Sequence, residues 1–128
     1  FLKKVMVTGQ MKYLLRRIKM SKKLAAEMAA DWWTERLGKG NKEMFRAALI
    51  TLIRKEFKTR DIVILNCDYD PLGILLDAVH AAGVECTGKF FSARGILPQK
   101  YGLAVYPDKL VPKEGYGNWT DEIPVKEN

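Results

Sequence analysis

Metal-binding and nucleophilic side chains are scarce in this chain. Its 128 residues hold two cysteines, Cys67 and Cys86, and one histidine, His80. The cysteines lack CxxC spacing, and a single histidine does not complete a zinc set with them. They read as buried free thiols of a reducing compartment. No apolar run approaches the ~18 residues that cross a membrane, and no h-region with a small-residue cleavage site follows the basic start. These absences lead to the expectation of a cytoplasmic protein with no membrane partner. A Gly-rich dinucleotide fingerprint and a P-loop are both missing. Ser92 has no nucleophile elbow around it, which argues against a serine hydrolase. Acidic residues are absent from Phe1 to Ala26, a stretch that carries eight basic ones.

What is present is unevenly distributed charge. The net charge of +7 divides into +11 over residues 1–60 and −4 over residues 61–128. The first basic group is Lys3, Lys4, Lys12, Arg16, Arg17, Lys19, Lys22 and Lys23. A second is Arg54, Lys55, Lys58 and Arg60. Such clusters attract polyanions, nucleic acid or nucleotides among them. A solvated face would look the same. So would a surface that docks on the acidic half of a neighbouring copy, giving a homo-oligomer.

Hydrophobic periodicity organises the rest into one domain. Lys4 to Thr8 is strand-like and stops at Gly9, and Met11 to Met20 fits a helix or a strand. Residues 1–20 therefore read either as native structure or as an extension. Residues 21–58 read as two helices. Ser21 caps the first, whose stripe is Leu24, Ala25, Met28, Ala29, Trp32, Trp33 and Leu37. Gly38 and Gly40 end it. Asn41 caps the second, with Phe45, Ala48, Leu49, Leu52, Ile53 and Phe57 as its stripe. Helical spacing puts at least one of Trp32 and Trp33 in the core, although exposed tryptophans would serve as base-stacking platforms.

Residues 61–106 have a βαβ outline. Ile62 to Leu65 is a continuous apolar run, as in a central strand buried on both faces. Asp70 as N-cap and Pro71 at the first helical position open the next helix. Leu72, Leu75, Leu76 and Val79 supply its stripe, and Gly83 its stop. Val84 to Thr87 reads as a strand parallel to the first. Tyr101 to Tyr106 is a further strand ended by Pro107. Residues 107–128 read as an irregular C-terminal wrap. The fold expected is α/β: a small, mostly parallel sheet with packed helices.

The run from Ile62 to Leu76 carries the clearest hint of chemistry. Asp68 and Asp70 would lie at the C-terminal edge of such a sheet, where open α/β folds place ligands. Two carboxylates so placed can hold Mg²⁺ together with water and phosphate oxygens. An apolar strand, then Asp68-Tyr69-Asp70-Pro71-Leu72-Gly73, then a helix resembles the acidic motif of Toprim domains. That family occurs in topoisomerases, primases and related nucleases. The resemblance implies Mg²⁺-dependent activity on nucleic acid, with Asp68 and Asp70 as metal ligands. The family's upstream strand ends in Glu-Gly, and Val5-Met6-Val7-Thr8-Gly9 has Thr8 at the Glu position.

A second candidate site is the loop bearing Lys89, Ser92, Arg94 and Lys100, with the backbone of Gly95. Guanidinium, hydroxyl and backbone N–H groups all donate to phosphate oxygens. Loops at strand ends gather on one edge of a sheet, so the two candidates are expected to converge. Three functions follow. The first is non-catalytic recognition of a phosphate-bearing ligand through Arg16, Arg17, Lys89, Ser92, Arg94 and Lys100. The second is the Mg²⁺-dependent Toprim-like enzyme. The third is a protein-binding inhibitor or accessory factor of a phage or mobile element.

Overall fold

The computed structural model describes residues 8–87, 89 and 92–127. Helix α1 spans Gly9–Thr34 and helix α2 spans Lys42–Glu56. Strand β1 is Val63–Cys67, and helix α3 is Ile74–Ala81. Strands β2 (Tyr101–Val105), β3 (Lys109–Lys113) and β4 (Ile123–Pro124) follow.

Helix α1 is longer than expected and begins earlier. Thr8 is its cap, with Oγ1 accepting from the Met11 N–H at 3.1 Å. No glycine or proline interrupts the chain from Gln10 to Leu37. Lys, Leu, Arg, Met and Ala all favour a helix, so it runs on through Ser21. Ser21 is therefore an interior residue and not the expected N-cap. The expected strand at Lys4–Thr8 falls outside the described residues except for Thr8 itself. Lys3 and Lys4 also lie outside them.

Asn41 caps α2 as expected, its side chain accepting from the Met44 N–H at 3.0 Å. The two helices form a hairpin whose seven-residue connection turns at Gly38. There the backbone N–H of Gly38 donates to the Ile96 carbonyl at 2.8 Å. A Cβ at position 38 would lie 2.4 Å from the Gly95 carbonyl oxygen. Only glycine permits that approach.

The expected parallel sheet is overturned. All four strands pair antiparallel, in the order β1-β2-β3-β4. Val84–Thr87 is irregular and not a strand, so the described residues contain no βαβ unit. The residue opposite β1 is supplied instead by the chain returning from the loop that follows α3. The Lys100 N–H donates to the Asp68 carbonyl at 2.5 Å. Tyr101 then faces Cys67 and Val105 faces Val63, running the other way.

The wrap expected over 107–128 contains β3 and β4. Tyr106 donates to the Lys109 carbonyl at 2.9 Å to close a tight hairpin at Pro107-Asp108. Burial on β1 alternates: Val63, Leu65 and Cys67 point inward, while Ile64 is 64% exposed. β1 is thus an edge strand covered on one face, not a central strand covered on two. Its inward residues continue across the sheet through Val105 and Leu110, and through Leu103 and Pro112.

The helices cover this inner face. Ala25, Ala26, Ala29 and Ala30 are fully buried, and their small side chains let α1 approach its neighbours closely. Trp32 and Trp33 are both buried, with ring centroids 4.9 Å apart, and Trp32 reaches Tyr101 of β2 at 6.2 Å. Neither tryptophan is available as a stacking platform. Phe45, Leu49 and Ile53 of α2 and Leu75 and Val79 of α3 complete the core. Leu72, expected in the α3 stripe, is 60% exposed. Among the described residues no helix is long and apolar enough to cross a membrane.

Candidate functional site

Helix lengths create the main surface feature. At 1.5 Å per residue, the 26-residue α1 is about 39 Å long and the 15-residue α2 about 22 Å. The helices run antiparallel, so the excess lies at the N-terminal end of α1, beside the C-terminal end of α2. All residues from Gly9 to Met20 are exposed. Between that overhang and α2 lies a groove of about 1070 Å³.

Eight cations from the two basic groups of the sequence meet in this groove. From α1 come Lys12, Arg16, Lys19, Lys22 and Lys23. Arg54 and Lys55 of α2, and Lys58 just beyond it, stand opposite. Among the described residues no carboxylate lines the groove. Its floor is apolar, with Leu15 and Ile18 on one side and Ile50 and Phe57 on the other. On α1 the positions 12, 15, 16, 19, 22 and 23 recur at three- and four-residue spacing, so one face carries them all.

Arg17 is one residue, about 100°, away from that face. Its guanidinium sits 5.8 Å from the Tyr13 ring centroid, outside the groove. The structure therefore separates the expected pair Arg16 and Arg17.

Lys22 has a structural task. Its Nζ donates to the Phe57 carbonyl at 2.9 Å and lies 3.7 Å from Asp61. A cation on the last carbonyls of a helix satisfies orphan acceptors and complements the dipole. The other seven cations of the groove have no carboxylate partner among the described residues. A concentrated positive field facing open solvent results.

The acidic turn is built differently. Gly73 precedes α3 with φ 53°, and no side chain caps that helix. Asp70 is not the N-cap and Pro71 is not the first helical residue, contrary to expectation. The Asp70 carboxylate is buried and turns toward the loop after residue 91 instead. Its Oδ1 accepts from the Ala93 N–H at 2.6 Å and from the Ser92 hydroxyl at 2.9 Å. The Cys86 thiol in turn lies 3.3 Å from Ser92 Oγ.

Asp68 forms an ion pair with Lys100. The Lys100 ammonium also lies over the rings of Tyr69 and Tyr116, at 4.5 and 5.1 Å. Those phenols share a hydrogen bond of 3.0 Å. The hydrogen bond with Asp68 raises the Lys100 pKa above the usual lysine range. Lys100 is also the one non-glycine residue with positive φ, 64°, among those described. That conformation costs free energy, and the Asp68 contacts hold it in place.

The two sequence-level candidates thus do converge, but on each other. Asp68 meets Lys100, and Asp70 meets Ser92. The hydroxyl proton of Ser92 is committed to Asp70. Lys89 and Arg94 are exposed on the same loop; Phe90 and Phe91 lie outside the described residues. Among the described residues no three His, Cys, Asp or Glu side chains gather as a metal-binding group. His80 donates from Nε2 to the Cys86 carbonyl at 2.6 Å and so pins the segment after α3.

Cys67 lies under the acidic turn, fully buried. Burial, reinforced by the Asp70 charge, pushes its thiol up to about 12. Thiolate is the reactive form. At pH 8, alkylation of Cys67 by iodoacetamide is expected to run about 1,000-fold slower in the native protein than in urea. Mass mapping of the modified peptide checks this, and similar rates in both states would contradict it. The folded state holds this proton more tightly than the unfolded chain. Its stabilisation is therefore complete below the ordinary thiol range and is lost as pH rises toward 12. The melting midpoint should fall over that window more in wild type than in Cys67→Ala.

The sequence had named both basic groups but not their meeting. Of the groove residues only Arg16 was singled out as ligand-binding. Lys12, Lys19, Lys23, Arg54, Lys55 and Lys58 follow once Met11–Met20 is read as a continuation of the next helix. The missed signal was the spacing of Met11, Leu14, Leu15 and Ile18, which continues the buried stripe at i, i+3, i+4 and i+7. No protein-family model and no curated protein matches this chain.

Proposed function

We propose that this protein binds nucleic acid in the groove between α1 and α2, without acting on it chemically. One observation carries the reading. Two cationic segments, more than thirty residues apart in sequence, face each other across a single groove that no carboxylate lines among the described residues. Fields of one sign in a concave site raise the local concentration of the opposite charge. A groove of about 1070 Å³ with cations along both walls suits a chain of phosphates better than a single one. The Asp68–Lys100 and Asp70–Ser92 contacts serve the fold in this reading.

Binding of a labelled oligonucleotide, followed by fluorescence anisotropy over a salt series, tests it. Neutralising three to five phosphates gives a slope of log K against log salt of about −2 to −4. A slope near zero would end the proposal.

A further inference from the structure

Cations explain the rim of the groove but not its floor. Leu15 is 56% exposed and Ile18 is 49% exposed, and both sit between lysines and arginines. Met11 and Leu14 extend the same stripe and are 45% and 53% exposed. A ligand made of phosphate alone leaves this apolar surface wet. So does a nucleic-acid duplex, whose base faces are stacked inside it and whose outside is phosphate, sugar and base edges.

A duplex keeps its base faces stacked and cannot lay them on that floor. A single strand can. Its bases are unstacked, flat and weakly solvated on their faces. They can lie on alkyl side chains while the phosphates follow the cations.

We infer that the nucleic acid held here is single-stranded, with bases on Leu15, Ile18 and Ile50 and phosphates on the surrounding lysines and arginines. The inference rests on the groove reading above and specifies its ligand. The volume suits a tract at the short end of the about 4–16 nucleotides that a single-strand-binding module covers. The floor is aliphatic apart from the buried Phe57, so little selectivity among bases is expected.

The test compares three probes on the full chain: a mixed-sequence single strand of twelve nucleotides, the corresponding duplex, and inorganic polyphosphate of matched charge. Each is measured with wild type and with the double variant Leu15→Ser, Ile18→Ser. Both positions are about half exposed, so the fold should tolerate the change, and circular dichroism checks it. Wild type should favour the single strand by about tenfold over the other two probes. The variant should lose about tenfold for the single strand, as expected for two apolar contacts. Its binding of duplex and polyphosphate, and its salt slope, should stay within twofold of wild type.

Equal binding of polyphosphate and single strand, a preference for duplex, or an unaffected floor variant would overturn the inference and leave the groove reading standing. Tighter salt-dependent binding to vesicles rich in anionic lipid than to any of the three probes would assign the stripe to a membrane surface and overturn it too. Failure of all three polyanions to bind would overturn the groove reading and this inference with it.

Discussion

Arg16→Glu combined with Arg54→Glu is expected to lower affinity for a single-stranded oligonucleotide by about 100-fold at 100 mM salt. The two residues stand on opposite walls of the groove and have no carboxylate partners among the described residues. Their reversal would remove the two phosphate contacts proposed for them and set two repulsive charges against the strand. The slope of log K against log salt should become shallower by more than one unit. Stability should barely change, because both side chains are solvated and neither touches the core. The matched control is Arg17→Glu with Arg60→Glu. It alters net charge equally, but Arg17 faces Tyr13 and Arg60 pairs with Glu56 at 3.2 Å. That control should lose less than tenfold. Equal losses in the two double variants would show that affinity follows net charge and not the groove.

Asp70→Ala is expected to destabilise the fold by about 2–4 kcal/mol. Asp70 is the one buried charged residue among those described, at 6% exposure. Its Oδ1 accepts two hydrogen bonds from the loop that leads back into β2. Truncation leaves the Ala93 N–H without a partner where Ala93 is fully buried. An unsatisfied buried donor costs its full desolvation penalty. For a chain of this length the midpoint should fall by roughly 8–15 °C. Asp70→Asn keeps an acceptor oxygen and should lose less than half as much. Both variants should retain oligonucleotide binding at temperatures where they are folded. An Asp70→Ala variant that melts within 2 °C of wild type would show that the carboxylate is not a structural anchor.

How much of this was legible in the sequence depends on what each signal fixes. Local chemistry was readable at Asn41, where one side chain and one helix start determine the cap. The α2 stripe at Phe45, Leu49, Ile53 and Phe57 was equally plain, because periodicity over fifteen residues is unambiguous. Strand direction was not. Val84–Thr87 has the composition of a strand, but four residues do not compete with a partner already fixed in place. Asp68 and Asp70 tie the returning chain to the end of β1 through Lys100, Ser92 and Ala93, residues some twenty to thirty positions later. Such long-range polar contacts leave no periodic trace. Asp70 also imitates an N-cap before Pro71, and the local reading of that pair concealed its real partner.

The candidate site was half legible for a similar reason. Charge clusters are visible in composition, and the residues that carry them were named. Their meeting depends on the antiparallel hairpin and on the difference in length between α1 and α2. Reading Ser21 as a cap hid that difference, since it detached residues 9–20 from the helix they belong to.

The groove assignment is tested most directly by titrating ¹⁵N-labelled protein with a twelve-nucleotide single strand and following backbone amide shifts. The expected changes fall on residues 12–23 and 50–58, on both walls of the groove. The amides of Asp68, Tyr69, Asp70, Lys89 and Ser92 to Lys100 should stay unmoved. Shifts confined to that second set, with residues 12–23 unaffected, would place the ligand on the acidic turn and its loop and contradict the account.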